Sequence, residues 1–337
     1  MKAFIHNIPK AELHIHIEGS LEPDLMLDLA HKNGISLPYE SVSDIRRAYD
    51  FKDLQSFLAI YYQGARVLLD EDDFYQLTWN YLRKAAEQNV RHAEIFFDPQ
   101  THTARGIKFE TIVQGIHRAL IDAGLHLDVS SRLIMCFLRD LSAADAMRTL
   151  EAALPFADWI TAVGLDSAEI GNPPQKFKAV FDRARQHGFK AVAHAGEEGP
   201  PEYIWQALKI LKVDRLDHGV RCMEDSDLVE RLAQKKVALT VCPLSNVKLR
   251  VFESMYHHNL KRLLDAGLCV TVNSDDPAYF GGYIEENFSA VQQAHNLTFT
   301  EIYRLCRNAF NAAFLSPAEK QKFLDELDEF ATRFDVL

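Results

Sequence analysis

The amino-acid sequence predicts an α/β protein folded as a TIM-like (β/α)8 barrel, with a helical insertion after the first strand and extra C-terminal helices. Three observations carry that expectation. Eight short apolar runs of strand length recur along the 337 residues. Amphipathic stretches of helix length separate them, and such alternation builds a parallel sheet. Histidine and aspartate close several runs at their C-terminal ends, the edge where a barrel assembles its chemistry.

The first run, 12–17, reads Glu-Leu-His-Ile-His-Ile and stops at Gly19. In a strand, residues i and i+2 share a face, so His14 and His16 can reach one metal ion. Residues 20–89 are too long for one β/α unit and carry helical signals, which predicts a helical insertion. Pro23 suits a first turn and Gly34 a stop, and Leu54, Phe57, Leu58, Tyr61, Ala65 and Leu68 follow at helical spacing. The stripe Phe57, Tyr61, Tyr62 reads as core, with a pocket lid as the alternative. Further strands are expected at 92–97, 133–138, 160–165, 190–194, 215–218, 237–241 and 269–272. Several are continuous in Val, Ile, Leu, Phe or Ala, as strands buried on both faces are. Helices are expected at 107–123, 143–153, 174–187, 201–211, 225–234 and 259–266. From Phe299 onward two more are expected, broken at Ser316-Pro317.

Composition narrows the partners. The net charge is −11, from 37 basic and 48 acidic side chains, which argues against nucleic acid or an anionic membrane surface. No run of 18 apolar residues predicts a spanning helix, and residues 1–9 lack the apolar core of a secretory signal. Five scattered cysteines form no C-x-x-C and several sit in apolar runs, which suits free thiols in a reduced, cytoplasmic compartment. With no repeat and no linker, residues 1–337 read as one domain, and its oligomeric state stays open.

The chemistry-bearing residues fall at strand ends. His194 closes 190–194, His218 closes 215–218, and Asp275 and Asp276 follow 269–272. His14, His16, His194 and Asp275 make three imidazoles and a carboxylate, a divalent site for which zinc is the leading candidate. A metal so bound lowers the pKa of its water from 15.7 to about 7. His218 is placed to orient or deprotonate that water. Glu197, in the turn His194-Ala-Gly-Glu, is placed to donate a proton to a ring nitrogen, which requires a pKa raised by burial. Asp276 is placed to accept from a substrate N–H.

These motifs resemble the adenosine/adenine deaminases of the amidohydrolase superfamily. Glu12-Leu-His-Ile-His-Ile-Glu-Gly19, His194-Ala-Gly-Glu197, Asp217-His-Gly219 and Asn273-Ser-Asp-Asp-Pro277 occur in that family's order. The insertion and the segment Asn308-Ala-Phe…Phe-Leu315 are similar too. The resemblance implies one zinc per chain on His14, His16, His194 and Asp275, with Glu197 as proton donor, His218 assisting and Asp276 on the purine. The run Asn273–Tyr283 and Cys242-Pro-Leu-Ser-Asn-Val-Lys-Leu249 look most like the microbial adenine deaminase branch, which hydrolyses the free base to hypoxanthine and ammonia. Adenosine deaminases usually carry Asp where Glu18 stands and Gly near Glu169. Both glutamates are therefore expected beside the substrate, filling the ribose space. Adenosine, an N6-modified adenine nucleotide, or purine binding without catalysis remain alternatives. The H-x-E…P-C-x-x-C pattern of nucleic-acid deaminases is absent, so the expected partner is a small aminopurine.

Overall fold

A computed structural model describes residues 1–336. Eight parallel strands follow one another in chain order: β1 (Lys10–His16), β2 (Val90–Phe97), β3 (Ser130–Leu138), β4 (Ile160–Asp166), β5 (Lys190–Ala195), β6 (Arg215–His218), β7 (Ala238–Val241) and β8 (Cys269–Val272). The ring is joined between its last and first strands just beyond the end of β8. The His16 N–H donates to Asp275 O (2.9 Å) and the Asp275 N–H to His14 O (3.1 Å). The Leu13 N–H is taken by the Asn273 side chain at 2.8 Å. All eight expected strands are present. Their edges differ most in β3, which begins at Ser130 because the polar Ser130, Ser131 and Arg132 extend the ladder below the apolar run.

The stretch 20–89 holds four helices, Pro23–Lys32, Val42–Ala48, Leu54–Ala65 and Glu71–Glu87. The last belongs to the ring around the barrel, packing on β2 and on Phe109–His126. A Cβ at Gly115 would lie 2.3 Å from Glu71 O, so only glycine lets these two helices approach so closely. The expected helix at 201–211 turns from α into a wider π turn at Ala207–Leu211. Helices Lys2–Asn7, Pro243–Lys248 and Ile284–His295 lie outside the expected set. Ile284–His295 buries only Ile284, Asn287, Phe288 and Val291, a stripe too sparse to stand out in the sequence. Among the described residues no helix is long and apolar enough to cross a membrane.

Inside the barrel, Phe96, Ile134, Cys136, Ala162 and Val192 pack with Phe314, which lies between the two C-terminal helices. Beneath them Arg215 Nη1 meets Glu94 Oε2 at 2.6 Å, and Arg215 Nη2 donates to Leu13 O at 3.1 Å. The Phe314 N–H donates to the other Glu94 oxygen, and its ring lies 4.5 Å from the guanidinium. Burial pushes Glu94 up, but the Arg215 charge and its hydrogen bonds hold it down at about 2. Arg215→Met should cost about 3–5 kcal/mol in urea unfolding, because it leaves a buried carboxylate unpaired. Glu94 titrates below its ordinary 4.5, so its contribution is complete above that value and is lost as pH falls toward 2. Glu94→Gln should flatten that acid limb of the stability curve, measured by thermal unfolding from pH 5 to about 2.

Candidate active site

The upper rim of the barrel is built from unusual backbone. Ser167, Gly196, His218 and Asp275, just after or ending β4, β5, β6 and β8, have φ of 68°, 76°, 60° and 67°. A non-glycine residue held there costs roughly 1–3 kcal/mol and persists only where its surroundings over-determine it. His218 and Asp275 are such residues. These bends turn side chains inward over the mouth, where His14, His16 and His194 already point from β1 and β5.

The ligand atoms of His14, His194, His218 and Asp275 lie within 4.8 Å of one another. His16 reaches the same point: its Nε2 is 3.2 Å from His194 Nε2 and 3.5 Å from Asp275 Oδ1. His14 Nε2 is 3.1 Å from the same oxygen and has no hydrogen-bond partner. The opposite nitrogens explain which way the lone pairs face. The Thr240 hydroxyl donates to Asp217 Oδ1 at 2.9 Å, so its oxygen accepts from His14 Nδ1, also at 2.9 Å. His16 Nδ1 faces Asp166 Oδ2 at 3.5 Å, and His194 Nδ1 faces Asp217 Oδ2 at 3.7 Å. The Thr240 oxygen places the His14 N–H on Nδ1 and leaves its Nε2 lone pair facing the carboxylate, and the Nε2 atoms of all three rings converge there. Such atoms repel unless a cation sits among them. Ligands about 2.0–2.1 Å from a tetrahedral centre are separated by about 3.3 Å, which is the spacing found. The donor set fits a divalent metal.

Glu197 stands beside this cage, its Oε2 3.5 Å from His218 Nε2. Burial, then the charges of Asp275 and Glu169, push its carboxyl well above the usual range. Burial holds His218 down to about 3, so its imidazole is neutral. Asp276 is raised in the same way, by burial and by Asp275 and Asp98, and its Oδ1 lacks a partner. A Cβ at residue 19 would lie 1.9 Å from that oxygen, so Gly19 clears the space Asp276 occupies. The cavity over the cage is lined by Asp98, Asp166 and Asp276 as well as Glu197. Leu54, Phe57, Leu58, Tyr61 and Tyr62 of the helix Leu54–Ala65 roof it. Phe57 and Tyr61 are core and lid at once, packing on Tyr279 while facing the cavity.

Two expected substrate residues lie elsewhere. Glu169 is absent from the cavity lining. Its carboxylate accepts the N–H groups of Gly196, Glu197, Glu198 and Gly199 at 2.5–3.0 Å, with Arg139 3.7 Å away. It anchors the turn that carries Glu197. Glu18 is also absent from the cavity lining. Its Oε1 accepts from His102 Nε2 (2.8 Å) and the Asp98 N–H (3.2 Å). His102 Nδ1 in turn accepts from Arg105, which also holds Ala65 O and Leu68 O at the end of the roof helix. Both acids are held off the cavity lining by buried donors.

Asp98 and Asp166 were not among the expected site residues, though each ends or follows a strand as His194 does. Burial comes first in pushing both up, followed by the charge of Glu18 for Asp98 and that of Asp98 for Asp166. Asn246, one turn beyond β7, donates to Glu197 Oε1 at 3.4 Å and sits 3.2 Å from His218 Nδ1. It lies in the run Cys242–Leu249 that resembles the microbial branch, but was given no role of its own.

A rim of strand-end imidazoles and carboxylates around a metal-shaped cage defines a metal-dependent hydrolase of the amidohydrolase type. The chain belongs to the adenosine deaminase family, whose model matches residues 9–330. It is 60% identical over 322 residues to an adenine deaminase of Crocosphaera subtropica, covering 96% of this chain and 99% of that one. The crystal structure of an adenine deaminase from Arthrobacter aurescens superposes with a TM-score of 0.95 at 49% identity, over 96% of this chain and 99% of the other. An amidohydrolase of Burkholderia ambifaria with bound Zn gives 0.91 at 27% identity, over 100% and 95%.

Because Asp217 lies behind both His14 and His194, Asp217→Asn should weaken metal binding about 10–100-fold, read by competition with a chromogenic chelator. Unchanged affinity would separate Asp217 from the cage.

Proposed function

We propose that this protein is a zinc-dependent deaminase that hydrolyses free adenine to hypoxanthine and ammonia. The observation that carries the reading is the Glu197 carboxyl, buried and with its pKa pushed well above the usual range, beside a cage of inward-facing imidazole nitrogens. Three imidazoles and one carboxylate, His14, His16, His194 and Asp275, suit a single zinc per chain. Bound there, the metal supplies a Lewis acid that makes water acidic enough to react at neutral pH.

The chain's own groups do the rest. Glu197 gives its proton to the purine ring nitrogen beside the reacting carbon, so the ring accepts the electron pair without building up charge. His218 is neutral and holds the attacking oxygen in line. The Asp276 carboxyl faces the base with an unpartnered oxygen and takes a ring N–H. The roof helix excludes water, which strengthens each of these contacts.

The preference for the free base over adenosine has two supports. The near full-length relatives of 56–60% identity are named adenine deaminases. Free adenine also carries a ring N–H that the nucleoside lacks, and Asp98 Oδ1 and Asp166 Oδ1 are buried cavity oxygens without donors. A site built to accept such a hydrogen rejects a ligand without it by about 10⁴-fold or more. The free thiols suit a reduced cytoplasm.

Ammonia release from the zinc-loaded protein, with adenine and adenosine in parallel, tests the assignment. Hypoxanthine should form with little inosine, and the reverse would make the nucleoside the substrate. Glu197→Gln should keep its metal and lose about 10²–10⁴ in kcat. Near wild-type turnover in that variant would remove Glu197 as proton donor.

A further inference from the structure

The hydrogen bonds behind His218 run in one direction, and a group that cannot be reversed sets it. The Leu260 backbone N–H donates to His258 Nδ1 at 3.1 Å. A backbone amide only donates, so Nδ1 holds the lone pair and the neutral ring carries its proton on Nε2. That Nε2 lies 3.2 Å from Asn246 Oδ1 and donates to it. The carboxamide is thereby oriented with its NH2 toward the site. Nδ2 is 3.2 Å from His218 Nδ1 and 3.4 Å from Glu197 Oε1, one hydrogen for each acceptor.

Two consequences follow at the reacting edge. His218 accepts through Nδ1, so its proton sits on Nε2, the nitrogen 3.5 Å from Glu197 Oε2 and 3.8 Å from Asp275 Oδ2. Glu197 accepts through Oε1, which leaves Oε2 as the oxygen free to carry a proton. His258 and Asn246 are both buried, and the Phe252 ring 4.5 Å away fixes the plane of His258. Bulk water therefore does not scramble the order.

We propose that Asn246, oriented by His258, is a positioning residue that dictates which nitrogen of His218 and which oxygen of Glu197 carry a proton. With Nε2 already protonated, His218 meets the attacking oxygen as a hydrogen-bond donor and does not act as its base. The catalytic half of this inference rests on the deaminase reading. The tautomer does not.

The test uses the full-length, zinc-loaded protein with ¹⁵N-labelled histidine. Long-range ¹⁵N–¹H spectra should show His218 as the Nε2–H tautomer. Asn246→Asp is nearly isosteric but only accepts, so it should keep its bond from His258 and turn His218 to Nδ1–H. Its kcat with adenine should fall about 10²-fold while KM stays within about threefold and metal content is unchanged. His258→Phe, which cannot donate, should lower kcat about tenfold, and His258→Gln, which restores a donor, should recover most of it. An Nδ1–H His218 in the unmodified protein overturns the proposal, as does an unchanged tautomer in Asn246→Asp. Equal kcat in the Phe and Gln variants also overturns it. Should the unmodified protein deaminate no aminopurine, the tautomer spectra still decide the proposal, and that failure counts against the adenine reading alone.

Discussion

Three imidazoles that turn lone pairs toward one carboxylate oxygen cannot be held together by one another. What holds them is the layer behind, where Thr240 accepts from His14 and the carboxylates of Asp217 and Asp166 face the opposite nitrogens of His194 and His16. That layer is a product of strand register. His194 lies level with Asp217 on the neighbouring strand, and Asp217 level with Thr240 on the next. A slip of one residue would turn every such side chain to the other face. The site's geometry is thus secured by the same ladders that close the barrel, and repulsion at its centre is sustained by the sheet.

The buried carboxylates divide into two kinds. Glu94, Glu18 and Glu169 are tethers, each held by donors from distant segments: a guanidinium, a histidine, a run of turn amides. Asp98, Asp166 and Asp276 each keep one oxygen without a partner. The tethers give the fold its rigidity around the mouth. The unsatisfied acids form the face a ligand meets, and their need for donors complements a base rich in N–H groups. Glu197 stands between the two kinds, gripped through its turn by Glu169 and through its side chain by Asn246.

The barrel itself was plain in the sequence, because strands buried on both faces read as continuous apolar runs and their ends mark the rim. His14, His16, His194 and Asp275 were legible for the same reason, as polar residues with no business at the tip of a core strand. That Glu18 and Glu169 lie off the cavity lining was not legible, because a carboxylate's destination depends on which buried N–H groups lie within reach. For Glu169 those amides are 27–30 residues away along the chain. Asn246 and His258 meet only in three dimensions, through a helix turn after β7 and a loop before β8. Asp98 and Asp166 obeyed the strand-end rule and were passed over, since an acid after an apolar strand is also an ordinary way to begin a turn.

The seam between the first and last strands has a consequence of its own. Its backbone hydrogen bonds involve His14, His16 and Asp275, the very residues whose side chains form the cage. Closing the ring and assembling the cage are therefore a single event. A cation held by these three side chains clamps the two edges of the sheet, so its binding energy adds directly to the cooperativity of the whole barrel. Amide exchange at His16 and Asp275 then reports ligation and global opening together, where a barrel sealed away from its metal would show two separate processes.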